Sequence, residues 1–160
     1  MAYTSRLTRE LRSLLHAQRV AALGTLNEDG SPMVSMVPYA IDAGQTSLVI
    51  HVSGLAAHTR NLQAAAGVSL LVMQPEVPGE PVHALPRVTL QGQADLPASQ
   101  SPAWASCRTA YLARFPEAEP MTHLGDFMFV AIRLTGARQV AGFGAARSVE
   151  AGELARVLRK

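Results

Sequence analysis

The sequence predicts a mainly β, α+β domain built as an antiparallel barrel or sandwich. Three observations carry that expectation. Short apolar segments with strand-like alternation follow one another across tight-turn residues rather than long crossovers. Helical patterns are few and brief, so the order reads α-β-β-β-α-β-β-α-β-β-α, without the strict β-α alternation of a doubly wound parallel sheet. The 160 residues are 48% apolar and only 16% charged, a composition that buries one core of ordinary size and leaves little for a disordered tail or coiled coil. No repeat, linker or low-complexity stretch divides residues 1–160, which are read as one domain.

The elements follow in order. Leu7, Leu11, Leu14 and Leu15 recur at helical spacing after Thr4 and Ser5, which can cap, so residues 5–17 form an amphipathic helix packing by its leucine face. Residues 19–26 are a short apolar run, Asn27 to Gly30 (NEDG) is a hairpin signal, and residues 31–41 complete the hairpin. Asp42 to Gln45 turn the chain into a third strand, 46–53. The alanine-rich stretch after it suits a short helix, and 68–74 is a fourth strand. Pro75, Pro78, Pro81 and Pro86 punctuate a loop. Residues 87–96 alternate as a fifth strand, and 101–115 carry Trp104, Cys107, Tyr111, Leu112 and Phe115 at helical spacing up to Pro116. Residues 126–135 are a sixth strand, joined through a turn at Gly136 to a seventh, 137–145. A last amphipathic helix covers 148–160.

Composition also excludes chemistries. Thirteen of the 14 basic residues are arginines and the only lysine is Lys160, which removes a P-loop lysine and an internal Schiff base. The single Cys107 rules out an intrachain disulfide and multi-cysteine metal patterns, in keeping with a reducing compartment. The formal charge of +2 is spread along the chain, which argues against a nucleic-acid stripe. No segment has the roughly 20 apolar residues of a membrane span, and the charged N-terminal stretch resembles no signal peptide; a cytoplasmic location is expected. The five histidines form no HExxH or i,i+4 pair, so no metal site is expected.

Three segments carry candidate chemistry. In VSGLAAHTRNL, Val52 to Leu62, a strand ends in Ser53-Gly54 and leads into a helix whose first turns bear His58, Thr59, Arg60 and Asn61. Free amides at a helix start, a hydroxyl and a forked guanidinium suit a phosphate; the same residues also suit an ordinary capped helix with a wet face. Arg87 opens a strand that carries Gln91 and Gly92, a pairing that can hydrogen-bond a planar heterocycle while the glycine admits a close backbone; an edge arginine reaching for water is the alternative. SMVPY, Ser35 to Tyr39, reads as an edge strand because of Pro38, either plain or open to a flat ligand.

Taken in order, LGTLNEDGSPMVSMVPYAID (Leu23 to Asp42), SGLAAHTRNL (Ser53 to Leu62) with VSLLV after it, LPRVTLQGQA (Leu85 to Ala94), YLARFPEAE with GDFMF, and AGFG (Ala141 to Gly144) resemble the FMN-binding split-barrel family of pyridoxamine 5′-phosphate oxidase-like proteins, in particular its haem-utilisation-like branch. The resemblance implies a six- to seven-stranded antiparallel split β-barrel with peripheral short helices. It implies a homodimer that holds FMN in clefts between subunits. Ser35, Met36 and Val37 would lie along the flavin ring. Ser53, His58, Thr59, Arg60 and Asn61 would surround the phosphate, and Arg87 and Gln91 would approach the ring or ribityl chain. His58 stands where the oxidases have a lysine, which would move the cationic role toward Arg60.

Two functional expectations follow from the resemblance. The first is a flavin-dependent oxidoreductase acting on a small molecule, with FMN or a related deazaflavin as cofactor. The alternative is a haem- or tetrapyrrole-binding, or non-catalytic flavin-binding, protein. The sequence lacks the arginine- and histidine-bearing C-terminal stretch by which the oxidases hold their substrate, so that activity is not expected. No histidine follows His123, so no haem ligand is expected from the C-terminal side.

Overall fold

The computed structural model describes residues 4–160. Helix α1, Arg6–Ala17, begins where Ser5 accepts a hydrogen bond from the Thr8 amide and buries Leu11, Leu14 and Leu15. Each such leucine contributes about 1.5–3 kcal/mol of transfer free energy. Strands β1, Val20–Leu26, and β2, Pro32–Pro38, form the expected hairpin. Its turn closes through the Gly30 amide donating to the Asn27 carbonyl at 2.8 Å, with Gly30 at φ 81.

The expected second strand, 31–41, is two strands. After β2 comes the single residue Tyr39, then β3, Ala40–Asp42. A 3₁₀ turn leads to β4, Ser47–Ser53, then α2, Ala57–Ala64, and β5, Gly67–Met73. The proline-punctuated loop is irregular apart from the short turn Val82–Ala84, and β6, Arg87–Asp95, follows. Helix α3, Pro102–Arg114, runs into a 3₁₀ segment, Pro116–His123. Strand β7, Phe127–Val140, β8, Ala146–Glu150, and helix α4, Ala151–Leu158, complete the chain. None of these helices is long and apolar enough to cross a membrane.

All pairings are antiparallel, in the order β2-β1-β5-β6-β7-β4-β3, with β8 also on β7. Strands β2 and β3 lie at opposite ends of this path yet are joined by Tyr39 alone. A sheet whose two ends meet at one residue has to curl, and that closure makes the split barrel. Pro38, without an N–H, sits on the edge strand, where no ladder bond is lost. The Tyr39 side chain, fully buried, anchors the crossover: its hydroxyl donates to the Leu15 carbonyl at 2.8 Å, capping α1. The Arg114 guanidinium donates to the next carbonyl, His16, and to that of Tyr39, so the end of α1 and the crossover share their partners.

Two expected boundaries differ. Gly136 is not a turn: β7 runs through it for 14 residues, and Gly136 pairs with both Gln91 and Glu150. The local signal is a bulge, with the register shifting between Gln91 and Gly92 and the Thr135 hydroxyl donating to the Gln91 carbonyl at 3.2 Å. Buried Val130, Ile132 and Leu134 keep the alternation going into the bulge, and packing outweighs the glycine. The true hairpin is at Ala141 to Ala145, so Ser148 to Glu150, expected in the last helix, are the end of β8.

Two cores result. The larger fills the barrel and takes in α1 and α4; the smaller packs Val49 and Phe129 of the sheet's other face against Cys107, Tyr111 and Phe115. Burial pushes the Cys107 thiol up to about 11, so it is a small core residue rather than a nucleophile.

A polar clamp joins the two terminal helices to the sheet. Arg147 donates to both Glu153 carboxylate oxygens at 2.9 and 2.7 Å and to Gln139 Oε1 at 2.8 Å. Thr8 donates to Glu153 at 2.6 Å, and Gln139 to the Leu7 carbonyl at 2.9 Å. Hydrogen bonds from Arg147 hold the Glu153 carboxyl below its ordinary value of 4.5. A carboxylate whose folded-state pKa is depressed stabilises the fold above the unfolded value, and that stability is lost as pH falls through the folded value. Glu153→Gln is expected to cost about 1–2 kcal/mol at neutral pH and to flatten the acid limb below pH 4.5. Urea midpoints measured from pH 7 to 3 test this; parallel curves for the two proteins would refute it.

Candidate functional site

Directly opposed residues of an antiparallel ladder share a face. The register therefore divides the strand-borne candidates. Ser35 lies opposite Leu23, which continues to the buried Leu70 and Leu90, so Ser35 and, two residues on, Val37 point inward. Val37 is buried in the core, which leaves only its backbone available to a ligand. Met36 lies on the outer face beside Ala22 and Leu71; Gln91 lies there with Ser69, Gly24 and Val34, and Arg87 with Met73.

The α2 segment sorts its residues by the helix turn. Thr59, fully buried, donates to the Ser53 carbonyl at 2.6 Å and locks the end of β4 to the helix. Asn61 donates to Thr25 at 3.1 Å and to Asn27 at 2.9 Å, fastening α2 to the end of β1. Ser53 donates to the Asp126 carboxylate at 3.2 Å and accepts from the Leu55 amide. His58 leans on β2, its Nδ1 3.0 Å from Ser35 Oγ, and burial lowers its pKa. Arg60 is exposed. At about 100° per residue it points roughly 200° around the helix from His58, so the two cations face different sides.

The structure thus brings Ser35 and His58 together and commits Ser53, Thr59 and Asn61 to internal bonds. The helix start keeps two free donors: Ala56 offers no side-chain cap, and the Ala57 and His58 amides have no partner among the described residues. Those amides fit an anionic oxygen, whereas the Asp126 carboxylate beside Ser53 does not. Arg87 is also partly committed, donating to the Leu85 carbonyl at 2.9 Å and the His83 carbonyl at 3.3 Å, which pins the proline-rich loop. The close backbone approach read at Gly92 is that of the neighbouring strand β7: a Cβ there would lie 2.8 Å from the Arg133 carbonyl oxygen.

Two adjoining hollows mark the outer face. One, about 370 Å³, is lined by Val20, Ala22, Val34, Met36, Leu71 and Met73 and is almost wholly apolar. The other, about 480 Å³, shares Val34 and adds Ser69, Gln91, Gln93 and Thr135. Val34 is 70% and Met36 65% exposed, and none of β1, β2 and β5 carries a charged residue. An open apolar face of this kind fits the flat surface of a macrocycle or an isoalloxazine, with polar groups along one rim. Of the residues lining the two hollows, none is a histidine.

Sequence reading missed Asp126, whose carbonyl accepts from the Gly54 amide and whose carboxylate holds Ser53. It lies in GDFMF, a segment that carries the family resemblance, but a single aspartate before a strand points to no particular chemistry. The apolar outer face was readable: VAALGTL, PMVSMVP and GVSLLVM place apolar residues on both sides of a strand, the pattern of a sheet covered on both faces.

Comparison with known proteins agrees with this architecture. The chain is 27% identical over 150 residues to heme oxygenase HutZ of Vibrio cholerae, covering 93% of this chain and 84% of that one. It is 36% identical over 139 residues to the chloroplastic non-canonical heme oxygenase HOZ of Arabidopsis thaliana, covering 86% of this chain but 41% of that protein. Among solved structures, a heme binding protein from Mycobacterium smegmatis superposes with a TM-score of 0.84 at 29% identity, over 97% of this chain and 62% of that one. The chain thus spans well under two thirds of the plant protein and just under two thirds of the mycobacterial one. Residues 7–141, from α1 to the end of β7, match the pyridoxamine 5′-phosphate oxidase family, and with the barrel closed through Tyr39 the chain belongs to that family.

Proposed function

We propose that the protein binds a haem or related tetrapyrrole against the outer face of β1, β2 and β5, in a cleft completed by a second copy of the chain. The observation that carries this reading is the uncharged, exposed apolar face around Val34 and Met36. It is supported by relatives over most of the chain that are themselves named as heme oxygenases or heme binding. One barrel offers one wall, a flat macrocycle needs two to be buried, and isologous pairing supplies the second wall twice. Haem, when bound, supplies iron for redox and oxygen chemistry. The chain's part is to cover the macrocycle's apolar faces with Ala22, Val34, Met36 and Leu71, and to offer hydrogen bonds to its carboxylates from the rim.

FMN is the second reading, and one observation favours it: the unpaired Ala57 and His58 amides, with His58 beside them, at the start of α2. The commitment of Ser53, Thr59 and Asn61 to internal bonds weighs against it. An absorption spectrum of the purified protein, before and after addition of haem and of FMN, tests both. A Soret band that saturates at a fixed haem-to-protomer ratio is expected. Bound flavin with no saturable Soret band would replace the first reading with the second, and neither signal would overturn both.

A further inference from the structure

We infer that Ser35 is a positioning residue that fixes the tautomer of His58, so that the imidazole meets its ligand as a hydrogen-bond donor at Nε2 and selects an anionic oxygen. The chemical class recognised is a carboxylate or phosphate group, as on a haem propionate or the FMN phosphate, reaching from the outer face round the edge strand β2 to the start of α2, where the Ala57 and His58 amides are also unpaired. In that respect the inference rests on the proposed function.

The geometry is simple. Ser35 sits on the edge strand β2 and points inward, and its hydroxyl has a single partner among the described residues, His58 Nδ1 at 3.0 Å. A neutral imidazole has one donor nitrogen and one acceptor, and a hydroxyl carries one proton. If the hydroxyl donates to Nδ1, both atoms of that bond are satisfied and the ring proton is on Nε2, which has no partner among the described residues and is left for a ligand. If Nδ1–H donates to the hydroxyl instead, the serine proton is left without a partner in a half-buried place, and Nε2 becomes a lone-pair acceptor that repels an anion. The first arrangement leaves one group unpaired and the second leaves two, so the first is favoured. Burial also lowers the pKa of His58 and so favours the neutral ring, the form in which the tautomer matters. Without Ser35 the ring is free to exchange between tautomers, and a fraction of molecules present the wrong atom.

Nitrogen-15 NMR of the imidazole in the full-length, ligand-free protein at neutral pH reads the tautomer directly. A single Nε2–H form is expected in wild type, a mixture in Ser35→Ala, and return to one form in Ser35→Thr. A wild-type ring protonated at Nδ1, or a Ser35→Ala spectrum identical to wild type, would overturn the inference. Binding supplies the second readout, in two arms: haem against its dimethyl ester, and FMN against riboflavin. Ser35→Ala is expected to weaken the anionic member of the pair that binds by about three- to tenfold and to leave the uncharged member unchanged. Equal weakening of both members, or of neither, counts against it. The pair that responds identifies whether carboxylate or phosphate is the recognised group. If no probe binds the wild type, the ligand reading fails and the anion selectivity with it, while the NMR result still decides the tautomer.

Discussion

Gly92→Ala is expected to destabilise the protein by about 1–3 kcal/mol, a fall in Tm of roughly 3–10 °C for a chain of this size. A Cβ at this position would lie 2.7 Å from Ile132 Cγ2 and 2.8 Å from the Arg133 carbonyl oxygen. The first atom belongs to a fully buried core side chain and the second to the backbone of β7, so neither is a flexible end that can swing away. Relief would require β6 and β7 to separate at their bulge, where the ladder is already interrupted between Gln91 and Gly92. Gly24→Ala is the control: its Cβ would meet the Ser69 carbonyl oxygen at 3.6 Å, an ordinary contact, and stability should change by no more than about 0.5 kcal/mol. Thermal unfolding of the two variants decides it. Equal melting temperatures would mean that the strands are not held together as tightly as the geometry requires.

If the proposed shared cleft holds, the double substitution Val34→Glu with Met36→Glu is expected to convert a dimer to a monomer and abolish saturable haem or flavin binding together. Both side chains stand well out from the sheet, at 70% and 65% exposure, beside Val20 at 48% and Met73 at 41%. Glutamates there remain in water in the isolated chain, so the fold should be kept, with an unchanged far-ultraviolet circular dichroism spectrum. In a paired assembly the glutamates would instead be buried in the two clefts without counter-ions, a cost of several kcal/mol. Sedimentation and ligand titration, run on the same samples, read the two effects. A wild-type protein that is monomeric while holding its ligand would sink the shared cleft, and a double variant that stays dimeric would move the interface elsewhere.

Much of the barrel was legible because its information is local. The leucine spacing of α1, the NEDG turn, and the alternation of β5 and β6 each occupy a few consecutive residues. So does Gly92, where close approach of a backbone was read correctly although the approaching chain is β7. The errors share a cause. Gly136 looks like a turn until buried Leu134 and the pairing of Gly136 with both Gln91 and Glu150 carry β7 through it. Residues 31–41 look like one strand because nothing local says that Tyr39 hands the chain from one end of the sheet to the other.

The candidate site divides in the same way. Ser35, Met36, Arg87 and Gln91 were recognisable as polar or apolar residues at strand positions, but their assignment to the inner or outer face depends on inter-strand register, and register is a property of pairs. Ser53, Thr59 and Asn61 have the right chemistry for an anion, yet each is occupied by a partner far away in sequence or across a turn: Asp126, the Ser53 carbonyl, Thr25 and Asn27. Composition and periodicity thus establish a small, low-charge antiparallel barrel with brief helices, because hydrophobic pattern and turn chemistry act over a few residues. Closure through Tyr39, the joining of Ser35 to His58, and the release of an uncharged outer face come from contacts between distant segments, which no short stretch of chain encodes.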